Sequence, residues 1–284
     1  MINVERLSFT YPGGKQPAVR NITLSVNDGE IVGFLGPSGS GKSTLQKILI
    51  GVLKNYEGSV QIMGQESKKS GAAFNESLGV AFEIPNFYQR FTAEENLKFF
   101  LSFYKNKGMP VVSLLTQLGL GDCGSKRVSE FSKGMKMRLN ICRAFLHNPD
   151  IVFLDEPTAG LDPVNVKKVV DFILRQKKTG KTIIITTHNM HVAQAVCDRV
   201  GFIVDGELKL VNTPEALVEK HSDKAVKVEY TSGTIRCVKR FPLQGIGENS
   251  HFREILTGGN IVRLETEEKT LEDIFIEVTG RELE

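Results

Sequence analysis

The spacing of apolar positions changes several times along the chain, and each change marks an element. Val4, Leu7 and Phe9 precede a Tyr11-Pro12-Gly13-Gly14 turn, after which Ile22, Leu24 and Val26 alternate with polar residues. Residues 1–30 therefore read as antiparallel β structure, with Asn27-Asp28-Gly29 closing a hairpin. Glu30 to Leu35 is a continuous apolar run of the kind buried on both faces of a parallel sheet. A glycine-rich loop and a helix over 42–53 follow. Between 85 and 147 the period becomes helical. Thr92 and Glu95 form a capping box, and Leu97, Phe100, Leu101 and Tyr104 fall on one face. A second helix starts near Pro110, and a third runs from Gly134 to His147.

Beyond this region the pattern alternates strand and helix: strand 151–154, helix 163–178, strand 182–187, helix 189–197, then strands 200–204 and 207–211 around Asp205-Gly206. That order implies a parallel sheet with α/β architecture. Past Lys220 the pattern shifts again. Val226, Val228 and Tyr230 alternate up to Thr231-Ser232-Gly233, Ile235 and Val238 continue beyond it, and Ile261 to Leu264 reads as a further strand. Thr270 caps a last amphipathic helix bearing Leu271, Ile274, Phe275 and Val278. The expected division is a main domain over 1–220 and a small α+β appendage over 221–284. There is no internal repeat and no low-complexity segment.

Composition narrows this picture without changing it. The 284 residues are 40% apolar and 24% charged, with a net charge of +3, too small to argue for nucleic acid as a partner. Basic residues do gather locally, at Lys126, Arg127, Lys133, Lys136, Arg138 and Arg143. Cys123, Cys142, Cys197 and Cys237 form no CxxC pair, which fits a reduced compartment. The first residues lack the basic start and apolar core of a secretory leader, and no apolar run approaches the ~18 residues that cross a bilayer. Any role in transport must borrow its membrane path from another chain.

Three motifs carry chemistry. Gly36, Pro37, Ser38, Gly39, Ser40, Gly41, Lys42 and Ser43 match G-x-x-x-x-G-K-[ST], directly after a buried strand and opening a helix. The glycines let the backbone curl so that several N–H groups face one phosphate chain, and the helix N-terminus adds partial positive charge. Lys42 is placed for the β- and γ-phosphates, Ser43 for Mg²⁺, and Thr44 completes the nucleotide-binding set. Ile151 to Glu156 is a buried strand that carries two carboxylates to its C-terminal end, where open α/β sheets place their ligands. Asp155 is the natural partner of the Mg²⁺ shell. Glu156, one residue further, points differently and can polarise an attacking water. Ser132 and Gly134, in Phe131-Ser132-Lys133-Gly134-Met135, open the third helix with a hydroxyl and free N–H groups. Alone they would be an ordinary cap; with the other two motifs they suggest nucleotide held between two copies of the protein.

Together with Ala159-Gly160-Leu161-Asp162 and Thr186-Thr187-His188, these motifs resemble the ATP-binding subunits of ABC transporters over residues 1–215, in order and spacing. The resemblance implies a P-loop NTPase fold: a RecA-like parallel sheet with an antiparallel β subdomain and a helical subdomain. It implies an ATP hydrolase in which Ser132 and Gly134 of one subunit close on ATP held by the other's phosphate loop. It places Tyr11 against adenine, Asp162 across the dimer and His188 at the γ-phosphate, with Glu156 and His188 as the catalytic pair. Two positions depart from the family. Its usual Leu-Ser-Gly-Gly-Gln turn has Phe131, Lys133 and Met135 at the variable places, and Glu83 stands where a Gln usually senses Mg²⁺ and the membrane partner.

Both departures, and the ending Thr270 to Gly280, resemble the drug-exporter branch, with Phe82-Glu83-Ile84-Pro85-Asn86 similar to fluoroquinolone-exporter ATPases. The implied partners are a separate membrane permease and a second ATPase subunit, identical or related, with no nucleic acid. The implied place is the cytoplasmic face of the cell membrane. Phe87, Tyr88 and Phe91 are expected either to line a groove for a permease helix or to pack in the core. An importer ATPase, or a permease-free ABC ATPase acting on nucleic acid or ribosomes, is the alternative; a single phosphate loop without a heptad run speaks against the latter.

Overall fold

In the computed structural model, which describes residues 2–106, 108–221, 224–258 and 260–281, β1 (Ile2–Phe9) and β2 (Val19–Val26) pair antiparallel. Buried positions on β1 are Ile2, Val4, Leu7 and Phe9, so the strict alternation breaks once. The register shifts between Val4 and Leu7, where Arg6 takes a φ of 47°, and the mirror irregularity on β2 falls at Asn21, also at 47°. Each strand thus carries one bulge, which returns the next apolar side chain to the core face.

The chain then forms β3 (Ile31–Leu35), α1 (Lys42–Leu49), β4 (Glu57–Ile62), β5 (Gln65–Glu66), α2 (Ala72–Glu76) and β6 (Leu78–Ala81). Three helices follow, α3 (Ala93–Leu101), α4 (Val111–Gln117) and α5 (Lys133–Phe145). Next come β7 (Ile151–Asp155), α6 (Pro163–Lys178), β8 (Thr182–Thr187), α7 (Met190–Val196), β9 (Arg199–Val204) and β10 (Glu207–Asn212). A four-stranded antiparallel sheet runs in the order β2-β1-β4-β5, and a six-stranded sheet in the order β10-β9-β3-β8-β7-β6. All neighbours in the second sheet are parallel except the β9–β10 hairpin.

One core joins the two sheets. Val4, Leu7 and Val60 from the first meet Phe34, Phe153 and Ile184 from the second, with Leu45, Ile48 and Leu49 of α1 in the same cluster. Side chains of opposite parity on the parallel strands face the other helices, where Phe145 of α5 meets Phe172 of α6 edge-on at 4.9 Å. Helix starts are fixed locally. Asp162 caps α6 with Pro163 in its first turn, Asn189 caps α7, and Thr92 and Glu95 exchange bonds at α3.

Three expectations shift, and one segment that the apolar pattern leaves unassigned acquires structure. Asn27-Asp28-Gly29 closes no hairpin; it hands the chain from the antiparallel sheet to the parallel one, since β2 pairs with β1 and β3 with β8 and β9. Helix α1 stops at Leu49 rather than 53, because Gly51 takes a φ of 75° just beyond its cap. The segment between 54 and 84, which has no clear period, holds β4, β5, α2 and β6. The chain divides into compact units Met1–Thr213 and Pro214–Arg281, not at 220. The reason is α8 (Pro214–His221), whose His221 pairs with Glu277 of α10 (Leu271–Thr279) within the second unit.

In that second unit β11 (Ala225–Ser232) lies between β12 (Ile235–Pro242) and β13 (Asn260–Glu267). Helix α9 (Ser250–Gly258) places Phe252 and Ile255 against Val226, Val228 and Phe241. The opposite face is charged: Lys227 lies within 4 Å of Glu229, Glu265 and Glu267. Among the described residues no helix is long and apolar enough to cross a membrane.

One buried amide organises the loop that enters the helical region. Asn96 of α3 is fully buried; its Oδ1 accepts from the Tyr88 N–H at 2.9 Å, and its Nδ2 donates to the carbonyls of Tyr88 and Thr92 at 3.0 Å each. Asn96→Ala orphans these groups and is expected to destabilise the protein by about 2 kcal/mol or more in urea unfolding. A loss below about 0.5 kcal/mol would contradict this account.

Candidate functional site

The phosphate loop joins β3 to α1, and its shape is enforced by what surrounds it. An ideal Cβ on Gly36 would sit 2.1 Å from the Ile203 carbonyl oxygen, and one on Gly41 would sit 2.4 Å from that of Ala18. Gly41 also takes a φ of 107°, which an L side chain resists. Lys42 leaves the first turn of α1 and curls back, so that its Nζ donates to the carbonyls of Gly36 at 2.7 Å and Pro37 at 2.9 Å. Burial pushes the Lys42 ammonium below the ordinary lysine value, and Glu156, Asp155 and Glu83 pull it back up. A buried cation among three carboxylates, over a loop of backbone N–H groups, is a cradle for a polyanion.

Those carboxylates arrive by strand register. Asp155 pairs with Thr186 and Leu35 with Thr187, so the C-terminal ends of β3, β7 and β8 lie side by side. Asp155 Oδ1 stands 3.5 Å from Ser43 Oγ and accepts a hydrogen bond from the Thr186 hydroxyl. Both oxygens are hard donors, which suits Mg²⁺. Glu156 takes a φ of 48°, an unusual backbone state for a glutamate. The twist turns its carboxylate sideways, where Oε2 accepts from the Thr187 hydroxyl at 3.0 Å and Oε1 lies 2.8 Å from His188 Nδ1. Asp155 and Glu156 are both buried, while His188 is exposed. Adjacent carboxylates thereby acquire separate partners: one faces the loop hydroxyl, the other the histidine.

Ser132, Gly134 and Asp162 form a second cluster. Ser132 caps α5, its hydroxyl accepting from the Met135 N–H at 3.2 Å. A Cβ on Gly134 would lie 3.0 Å from Leu161 Cδ2, so this turn rests on the loop that leads to α6. Asp162 caps α6 through the Asn165 N–H at 3.0 Å, and the Asn165 amide holds its carboxyl below the usual range. Ser132 and Asp162 are both exposed. Tyr11 stands at the rim of the phosphate loop, 40% exposed, edge-on to Phe9, with its hydroxyl 3.2 Å from Thr44 Oγ1. Glu83 is exposed, on a loop that α5 grips through Asn140 Nδ2, which donates to the Phe82 carbonyl at 2.7 Å.

A match to the ABC transporter family covers residues 19–159. A fluoroquinolones export ATP-binding protein of Mycobacterium tuberculosis is 42% identical to this chain over 285 residues, spanning 100% of it and 94% of that relative. The chain belongs to the ABC transporter ATP-binding proteins. The Nod factor export ATP-binding protein I of a Rhizobium species is 32% identical, with 95% of each chain covered. Among solved structures, a dimeric ATP-binding cassette in a post-hydrolysis state with ADP and Pi aligns with a TM-score of 0.69 at 27% identity, covering 75% of this chain and 98% of that one. As an ABC ATPase grouped with the drug-exporter branch, the protein binds ATP and hydrolyses it, on the P-loop NTPase fold that its sequence predicts.

Two parts of this ABC ATPase site escape a reading by motif. Thr186 and Thr187 hold Asp155 and Glu156, and the signal was present: two hydroxyls end an otherwise apolar strand after Ile183, Ile184 and Ile185. Gln46 of α1 is buried beside Thr186, a polar side chain at a position whose neighbours Leu45 and Ile48 are core. Lys42→Ala is expected to remove most ATP binding and turnover, by about 10²-fold or more in affinity, because Lys42 is the buried cation that curls over the loop. Retention of near-normal affinity in a fluorescent-nucleotide titration would remove Lys42 from the site.

Proposed function

We propose that this ABC ATPase drives an exporter of drugs or other small amphipathic compounds. ATP closes two copies head to tail, hydrolysis reopens them, and a separate integral membrane permease converts that cycle into export from the cytoplasmic face of the membrane. The partition of the site into two clusters supports this most directly. Lys42, Ser43, Asp155, Glu156 and His188 converge, whereas Ser132 and Asp162 stand exposed on turns that brace one another. Exposed caps with that chemistry suit a phosphate supplied by a facing subunit. The fluoroquinolones export relative supports the substrate class, and the dimeric cassette supports the pairing.

Each side chain then has a task. Lys42 neutralises the β- and γ-phosphates, and Ser43 with Asp155 would hold Mg²⁺, Glu83 contributing from the neighbouring loop. Bound there, the ion would stabilise charge that develops on the transferring phosphoryl group. Glu156, fixed from two sides by Thr187 and His188, orients and polarises the attacking water. His188 contacts the γ-phosphate from the exposed rim, and Tyr11 stacks on adenine. Across the pair, Ser132, Gly134 and Asp162 complete the site.

The contact with the permease falls on the aromatic cleft of about 260 Å³ lined by Asn86, Phe87, Tyr88, Phe100 and Arg143. Phe87 itself is buried, edge-on to Phe100 at 6.1 Å, so it forms the floor. Tyr88, 50% exposed, forms the wall available to a docking helix, and Phe91, 40% exposed, packs against Tyr88 at 5.3 Å.

Glu156→Gln keeps the shape and loses the charge. It is expected to retain ATP binding, slow hydrolysis by about 10²-fold or more, and migrate as a dimer on a sizing column with ATP and Mg²⁺. A variant that stays monomeric under those conditions would count heavily against the shared site. Tyr88→Ala should leave ATP turnover of the isolated subunit within about twofold while transport by the assembled complex falls at least about tenfold, as removal of an interface aromatic does. Unchanged transport would sink the docking cleft.

A further inference from the structure

Beneath the phosphate loop lies a polar chain whose inner end no motif explains. Gln46 is 1% exposed and Thr186 is 0% exposed. The Thr186 hydroxyl hydrogen-bonds Asp155 Oδ1, the same oxygen that faces Ser43, while Gln46 Oε1 lies 3.2 Å from Thr186 Oγ1 and Gln46 Nε2 is buried without a partner. A hydroxyl has one proton, and the charged carboxylate takes it in preference to a neutral amide. The group opposite the hydroxyl oxygen must then be a donor. Turning the Gln46 amide by 180° moves no other atom and places its NH₂ against Thr186 Oγ1, giving an aligned relay from amide N–H to hydroxyl to carboxylate. A buried amide that made no such bond would be replaced without loss by an apolar side chain of the same length.

We propose that Gln46 is a positioning residue for the Mg²⁺-side carboxylate: it fixes the Thr186 hydroxyl, which in turn fixes Asp155 Oδ1. Outer partners of this kind orient a ligating carboxylate and strengthen the hold on a metal without touching it. The relay is directional, because Thr186 can donate to Asp155 in a single orientation only while its oxygen is engaged from behind by Gln46. The inference rests on the Mg²⁺–ATP reading of the site, and it assigns part of the site's metal affinity to a residue one helical turn beyond Lys42.

The test compares Gln46→Met, Thr186→Val, Thr186→Ser and the Gln46→Met/Thr186→Val double variant in the full chain. Two quantities are measured with ATP as the probe: affinity in EDTA, and the Mg²⁺ concentration that half-saturates nucleotide binding. Gln46→Met should leave the EDTA affinity unchanged and raise the half-saturating Mg²⁺ about tenfold or more, as loss of an outer-shell partner does. Thr186→Val should raise it at least as far, Thr186→Ser should stay near the parent, and the double variant should match Thr186→Val, because Gln46 acts through that hydroxyl. Gln46→Leu replaces the methionine variant if the latter does not fold. An unchanged Mg²⁺ dependence with only a lowered Tm would overturn the proposal, and so would a Gln46 effect that persists undiminished in the Thr186→Val background. Failure of the parent itself to bind ATP in a Mg²⁺-dependent way would instead strike at the reading on which the proposal rests.

Discussion

The site exists because three parallel strands end together. Leu35, Asp155 and Thr187 lie at the C-terminal ends of β3, β7 and β8, in a register that pairs Leu35 with Thr187 and Asp155 with Thr186. Side chains on a strand alternate between faces, so a slip of one residue would carry Asp155 to the opposite face and take the partner hydroxyl from it. The register is held by the core beneath it. Val32 and Phe34, Ile151 and Phe153, and Ile184 are all buried, and a slip would expose or overpack every one. Hydrophobic packing several residues away thus sets the distance between Ser43 and Asp155.

Gathering charge at such a point is costly, and the structure shows how the cost is contained. Lys42, Asp155 and Glu156 are each less than a tenth exposed. An isolated buried ion is strongly disfavoured, but a cation among carboxylates that also accept hydroxyl bonds offsets most of that penalty. The remaining strain sits in the backbone, where Glu156 holds a φ of 48° while its N–H donates to the Thr186 carbonyl at 2.8 Å. That bond to β8 keeps the twisted residue from relaxing into the extended line of β7. Without the twist, Asp155 and Glu156 would project to opposite faces of the sheet.

Sequence reads this molecule unevenly, for physical reasons. Helix α6 and strand β8 are found at their predicted bounds because Asp162-Pro163 and Gly180 punctuate them and their interiors keep one period throughout. Strand β4 was invisible because only Val60 and Ile62 are buried in it, and its pairing with β1 is a contact across a long stretch of chain. The Asn27-Asp28-Gly29 turn has hairpin chemistry, yet tertiary packing sends the two strands to different sheets. At the site, motif spacing located Lys42, Ser43, Asp155, Glu156 and His188. The hydroxyls that aim two of them belong to β8, and only the fold reveals which strand stands next to which.

The same logic links the nucleotide to the surface. Helix α5 begins at the exposed Ser132 turn and, further along, reaches back to the loop after β6. Asn140 holds the Phe82 carbonyl, Arg143 Nη1 donates to the Asn86 carbonyl at 3.0 Å, and Arg143 Nη2 bonds Asn140 Oδ1 at 2.7 Å. The Arg143 guanidinium also lies over the Phe87 and Phe100 rings at 5.1 and 5.0 Å, so it belongs to the floor of the aromatic cleft. An α-helix of 13 residues spans about 20 Å and does not stretch. Any displacement of the Ser132 turn must therefore carry the Glu83 loop and the cleft with it as one body. Mechanical coupling needs no flexible wire here: the part that would meet ATP and the part that would meet a permease are two ends of the same rod.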